Sequence, residues 1–210
     1  MFALLLSSVL SASAPGLDGV DLARLNLIRA AEADEANRSM IWLWSWSGLY
    51  IAGTVGQAVA VPFLDPATQI DFIVGAVTTT LGAAFNLVLP PNVIAGAKVV
   101  RALPDTPEGL AQAERRLEED AAAQDLSVSW VMHGLNAAFN IATGLVLGLG
   151  FKHWESAVLN TVSGIIIGEV MVLTTPHGLR QLVRPTAPVV VVLRPMIGPN
   201  LTGLALGGTW

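Results

Sequence analysis

Residues 40–61, 71–89, 128–151 and 156–174 form four apolar stretches in one chain. Each is close to the ~20 residues that a helix needs to cross a hydrocarbon core. This pattern limits the fold more than any other feature. A soluble bundle would have to bury all four lengths against one another, so the membrane reading is preferred. Composition agrees. Charged residues make up 13% of the 210 residues and apolar residues 53%, against about 25% charged in an ordinary soluble domain. The stretches are not purely apolar: they hold Gln57, Asn86, His133, Asn136, Asn140, Asn160 and Glu169. Trp42, Trp44, Trp46, Trp130 and Trp154 lie near their ends, as in an interfacial aromatic belt.

The chain also repeats itself. "WSWSGLYIAG" from Trp44 and "WVMHGLNAAF" from Trp130 share the pattern W-x3-G-L-x2-A, 86 residues apart. In the same ungapped register Arg29, Glu32 and Asp34 fall on Arg115, Glu118 and Asp120. Gly82 and Pro90 fall on Gly168 and Pro176, and Lys98 falls on Arg184. The matches span a whole unit and predict a tandem duplication. Each unit reads as a polar helix, an apolar hairpin and a short following helix. The predicted fold is an all-α membrane protein of four long helices in two repeated hairpins, with a short C-terminal β-like hairpin. The units are 15–103 and 104–185, followed by a tail at 186–210.

The polar helices cover 18–38 and 105–126. Asp105 or Thr106 caps the second, and Pro107 suits its first turn. Neither polar helix meets a breaker before its apolar segment. Each is therefore expected to run on as one helix of about 40 residues, near 60 Å long at about 1.5 Å per residue. Pro90-Pro91 and Pro176 end the second and fourth spans. In the tail, a β-branched run, Gly198-Pro199-Asn200 and period-two apolar residues up to Trp210 read as a hairpin.

Orientation pits two rules against each other. Residues 1–14 carry an apolar core and an A-x-A, like a secretory signal, but no basic residue precedes that core. A cut there would put both termini in the periplasm. In a four-span arrangement, however, ten basic residues share the side of the termini: Arg24, Arg29, Arg38, Lys98, Arg101, Arg115, Arg116, Arg180, Arg184 and Arg194. The other side has only Lys152. That bias makes the termini cytoplasmic in an inner membrane, and it is the preferred reading.

Several chemistries are excluded or unsupported. The chain has no cysteine, so disulfides and thiol chemistry are out. Its formal charge is −5, which gives no basic surface for nucleic acid. It lacks G-x-S-x-G, a Walker loop and H-E-x-x-H. His133, His153 and His177 are too scattered in sequence to suggest a metal site, and no cofactor is indicated.

Two patterns remain. Small residues step by four at Gly48, Ala52 and Gly56, at Gly134 and Ala138, and in the pairs Gly144/Gly148 and Gly164/Gly168. Such strips let helix backbones approach closely in lipid, so they are read as the contacts of the two hairpins. The other pattern is polar. His133, Asn136 and Asn140 share one face of the third span. Antiparallel pairing puts Glu169 level with Asn136 and one turn from His133. The same construction puts Ser47, Tyr50 and Asn86 at that depth, so one layer is expected to gather all of these groups. A carboxylate within a span faces the bundle interior or a wet cavity.

The run W-x-W-x3-G-x-Y, then I-D-x2-V-G-A from Ile70, W-x2-H-x2-N-x3-N, and Gly168-Glu169 with a closing Pro resembles an uncharacterised group of bacterial four-helix membrane proteins. The resemblance covers about residues 20–180 and implies no activity. The expected role is structural or interactive, in the bacterial envelope, with the lipid bilayer and a second copy or another envelope protein as partners. A small transporter or channel using the polar layer is the alternative, and an intramembrane enzyme comes third.

Overall fold

The structure is a computed structural model describing residues 16–183, 192–198 and 201–207. The reading of residues 1–14 as a signal lies outside these residues.

Helix α1 (Gly19–Ala60) runs unbroken for 42 residues. Asp18 caps it, accepting hydrogen bonds from the Val20 and Asp21 amides at 2.9 and 2.8 Å. A 3-10 turn, Val61–Phe63, reverses the chain into α2 (Pro66–Val88). Asp65 caps α2, and Pro66 fills a first-turn position that needs no amide donor. Next come α3 (Val93–Ala102) and α4 (Pro107–Ser127), the latter capped by Thr106 on the Gly109 amide. Helix α5 (Trp130–Leu145) continues as a π-helical turn, Val146–Gly150, before α6 (Trp154–Leu173) returns. A 3-10 turn, Leu179–Leu182, follows. Strands β1 (Val192–Gly198) and β2 (Leu201–Gly207) pair antiparallel, with Val192 opposite Gly207 and Gly198 opposite Leu201.

One expectation fails between α4 and α5. The second unit is not a single long helix: Val128 and Ser129 leave the helical path, and Ser129 is extended (φ −82°, ψ 164°). The cause is local. Ser127 Oγ donates to the Gln124 carbonyl at 2.6 Å, and Ser129 Oγ donates to the Leu126 carbonyl at 2.7 Å. Serine side chains that bond nearby carbonyls offer the backbone an alternative to the helix. The corresponding residues in α1 are Ile41 and Leu43, which cannot do this.

The helices divide into two regions. In the head, the first half of α1 packs with α3, α4 and the Leu179–Leu182 turn. Leu25, Ile28, Val93, Val100, Ala113, Leu117, Ala121 and Leu179 close an apolar core there. The second region holds the outer half of α1 with α2, and α5 with α6. Its exterior is apolar: Ile51, Val55, Val77, Leu81, Phe85, Leu135, Val162 and Ile166 are all exposed.

Among the described residues, three helical stretches are long and apolar enough to cross a membrane: Pro66–Ala102 (which contains α2 and α3), Trp130–Gly150 and Trp154–Leu173. These lengths and the apolar exterior point to a membrane protein. The expected first span does not reach the same apolarity, because the outer half of α1 carries Trp42, Trp44, Ser45, Trp46, Ser47, Tyr50 and Gln57.

The small residues do not all act as expected. A side chain at Gly164 or Gly168 would collide with Asn140 Oδ1 or Asn136 Oδ1, each 1.9 Å from the site of a Cβ. Gly144 lies against Thr161 and the Ala157 carbonyl, and Gly148 against the Trp154 ring. These four glycines do hold the α5–α6 contact. Gly48, Gly56 and Gly134 instead have open space around them, and Ala52 and Ala138 are exposed. The repeated W-x3-G-L-x2-A strip therefore faces outward in both hairpins. The α1–α2 contact uses other small positions: Gly53 against Thr79, Gly75 against Gln57 and Gly82 against the Tyr50 ring. One contact recurs at the 86-residue spacing. Tyr50 lies on Gly82 in the first hairpin, and Asn136 lies on Gly168 in the second.

Candidate functional site

The polar side chains of α5 and α6 form a ladder. His133 lies one turn into α5, below the exposed ring of Trp130, whose centroid is 6.0 Å from the imidazole. His133 Nδ1 and Glu169 Oε2 share a 2.5 Å hydrogen bond. Asn136 Nδ2 donates to Glu169 Oε1 at 2.8 Å and to the Ile165 carbonyl at 3.1 Å. Asn140 Nδ2 in turn donates to Asn136 Oδ1 at 2.8 Å and to the Asn136 carbonyl at 2.9 Å. The 133/136/140 spacing on one helix face creates this order. Gly164 and Gly168 make it fit, since any side chain there would displace the asparagines.

Both Glu169 oxygens are therefore occupied within the hairpin. The side chains of His133 and Glu169 are 27% and 32% exposed, so the pair sits on the flank of the helix pair. Chemically, this arrangement can hold a proton between imidazole and carboxylate. It lines neither of the two clefts described below.

The first hairpin does not join this ladder. Ser47 is fully buried, and its Oγ has no hydrogen-bond partner. Asn86 is 4% exposed, and its Nδ2 is likewise unpartnered. Tyr50 reaches across to α6, but its hydroxyl meets Met171 Sδ at 3.4 Å rather than Glu169. The expected single layer is thus two sets of residues, one per hairpin. Equal depth did not place them together because each hairpin closes on its own partner helix, while contact between hairpins is concentrated at the ends. At the head end, Trp42 and Trp46 donate to Thr174 Oγ1 at 3.3 and 3.2 Å.

At the far end lies a cluster that the sequence reading did not assemble. Asp71, in the second turn of α2, bonds His153 Nδ1 through Oδ1 at 2.7 Å and accepts from Ser156 Oγ at 2.6 Å. The aspartate faces both the imidazole and the hydroxyl, so the histidine is not aimed at the serine as a base would be. A cleft of about 240 Å³ adjoins it, lined by Gln57, Thr68, Asp71, Gly75, Ser156 and Asn160 among others. A second cleft, on the apolar α1–α2 face, is lined by Ala58, Ile73, Val77 and Leu81 among others. The signal for the Asp71 cluster was available. Asp71 and His153 each lie close to the start of a returning span, which puts them at the same end of antiparallel hairpins.

Among the described residues, no three His, Asp or Glu side chains are grouped to hold a metal. Comparison with protein families, curated proteins and solved structures finds no match to this chain.

Proposed function

We propose that this chain is an integral membrane protein with a structural or protein-interaction role in a bacterial envelope, built from two duplicated hairpins that carry four membrane-crossing segments. The observation that carries this reading is the state of Glu169. Both its oxygens are bonded within the α5–α6 pair, and it lines neither cleft. A carboxylate used in this way fixes one helix against another. Transport instead calls for a group that a passing ion or proton can reach and leave. The Tyr50–Gly82 and Asn136–Gly168 contacts support the duplication.

We place the head on the cytoplasmic side of an inner membrane, following the bias of basic residues. The bilayer is the first partner. A second copy, or another envelope protein, is the kind of partner that the outward small-residue strips admit.

Two experiments test the proposal. The protein should stay with membranes after an alkaline wash. Proteoliposomes of the purified chain should show no proton or cation flux above that of empty vesicles. A flux abolished by Glu169→Gln would replace this reading with the transporter reading. Since the chain has no cysteine, Lys152→Cys gives a single probe of orientation. It should react with an impermeant thiol reagent added from outside the cell.

A further inference from the structure

The head core contains a carboxylate that nothing so far accounts for. Glu32 occupies the inward face of α1, one turn beyond Ile28, and is 0% exposed. Neither of its oxygens has a hydrogen-bond partner. A charged carboxylate buried without partners is strongly disfavoured, and such a group takes up a proton instead.

Its surroundings favour the same outcome. Asp120, on α4, is 1% exposed and has an oxygen, Oδ2, that accepts no hydrogen bond. Glu35, on α1, is also 1% exposed. Arg116 is the cation facing the cluster from α4, and it is already paired with Asp120 at 3.2 Å and Glu119 at 3.2 Å. Arg29, one turn earlier on α1, is turned to Asp105 and the Leu103 carbonyl. From α3 the cluster meets Gly96, where a Cβ would fall 2.0 Å from Asp120 Oδ2. Lys98 and Arg101 of α3 are exposed. Arg180, on the Leu179–Leu182 turn, is exposed and paired with Asp125. His177 bonds the Thr175 carbonyl.

We propose that the head is a proton-dependent latch: α1 and α4 close on each other only while Glu32 carries a proton. Burial, reinforced by the charges of Asp120 and Glu35, pushes the Glu32 carboxyl up to about 8. A neutral acid at Glu32 fills the core position without an unpaired charge. Its ionisation would put a third negative charge beside Asp120 and Glu35, whose cations are already engaged: Arg116 with Asp120 at 3.2 Å, and the exposed Arg38 with Glu35 at 3.5 Å.

The effect would reach the membrane half. Glu35, on the same face of α1, accepts from Gln124 Nε2 at 3.1 Å and from the Gly178 amide at 2.7 Å. Gln124 Oε1 accepts from the Leu179 amide at 3.2 Å. These bonds fasten the chain leaving α6 to both α1 and α4, so opening the head releases that end of α6.

The sign follows from linkage. The folded head binds the proton more tightly than the unfolded chain does. Its closure is therefore strongest at low pH, weakens from about pH 5 to pH 8, and levels off above that. Across that window each pH unit raises the opening equilibrium about tenfold.

The test is amide hydrogen exchange on the full chain in lipid nanodiscs between pH 5 and pH 9, corrected for the intrinsic pH dependence of exchange. In the wild type, protection of α1 residues 19–39, of α4 and of the Gly178 amide should fall by at least a hundredfold between pH 5 and pH 8. Glu32→Gln and Glu32→Leu should both remove that fall, since each places a neutral group at the position. Asp120→Asn should keep the fall but move its midpoint to lower pH. A flat wild-type profile would overturn the proposal, as would the same fall in Glu32→Gln. Failure of both neutral variants to fold would also overturn it, because the latch requires neutrality at this position.

Discussion

The head and the membrane half present opposite kinds of side chain to their surroundings. In the head, leucine, isoleucine, valine and alanine are inside, most acids are outside or at its edge, and Arg24, Arg29 and Arg116 are half-buried at its rim. In the membrane half, the exposed surface is leucine, valine, isoleucine and phenylalanine. The hydrogen-bonded polar groups lie between helices: Thr54 with Thr79 at 2.8 Å, and Asn136 with Glu169 at 2.8 Å. One helix, α1, serves both regions and reverses its logic near Ser39. The difference follows from the solvent. Water drives apolar groups together, whereas lipid does not distinguish an apolar side chain from its own tails, so helices there are joined by close backbone approach and hydrogen bonds. Two carboxylates mark the contrast, one from each region. Glu169 has partners and Glu32 has none.

The comparison predicts its largest effect for apolar truncation. Leu117→Ala removes a fully buried side chain from the head core and should cost about 2–5 kcal/mol. Leu81→Ala, at a position 52% exposed in the membrane half, should change stability by no more than about 0.5 kcal/mol. Denaturant unfolding of both variants in the same micelles checks this. Equal losses would mean that the exterior of the second region is covered rather than lipid-facing.

The two carboxylates should respond with opposite signs. At pH 8, Glu32→Leu should stabilise the head by about 1–4 kcal/mol, as when apolar side chains replace poorly satisfied buried charge. Glu169→Leu should destabilise the α5–α6 pair by about 1–3 kcal/mol for each of His133 and Asn136 left unpaired. Glu169→Gln should cost less than Glu169→Leu, because it keeps a hydrogen-bonding group opposite Asn136. Thermal unfolding at pH 8 distinguishes these cases, and a stabilising Glu169→Leu would show that the ladder is not a fastening.

The glycines sharpen the contrast at a smaller scale. Gly168→Ala should cost about 1–3 kcal/mol by overpacking against Asn136. Gly134→Ala, with open space around it, should leave the monomer unchanged and slightly favour the helix. If Gly134→Ala lowers stability in a concentration-dependent way, the outward strip is an interface between copies.

The most local effect is expected at the far end. Asp71→Ala should cost about 1 kcal/mol for each of its two hydrogen bonds. Its signature is faster exchange at residues 153–157, with the head unaffected.

Much of this architecture was legible along the chain. Asp18, Asp65 and Thr106 mark helix starts in the way short polar caps do. The 133/136/140 spacing put the ladder on one face of α5, and depth matching put Glu169 beside it. Other features depended on details that the broad pattern hides. The break at Val128–Ser129 came from two serine hydroxyls in a segment otherwise suited to continue the helix. The outer half of α1 looked like a fourth span by length, yet its Trp, Ser, Tyr and Gln content leaves three stretches that qualify on length and composition.

The sequence by itself determined the helical character of the chain, the polar and apolar regions and the pairing of Glu169 with α5, because these depend on periodicity and depth along an axis. Only the tertiary structure decided which way each face points. Gly48, Gly56 and Gly134 follow the same small-residue spacing as Gly164 and Gly168, yet the first three face open space and the others hold asparagines. Glu32 and Asp34 stand two residues apart on one helix, yet Glu32 is sealed in the core and Asp34 is exposed. Spacing sets which residues share a helix face. The rotation of that face towards a neighbour is set by how all the helices pack at once, and no single segment contains that information.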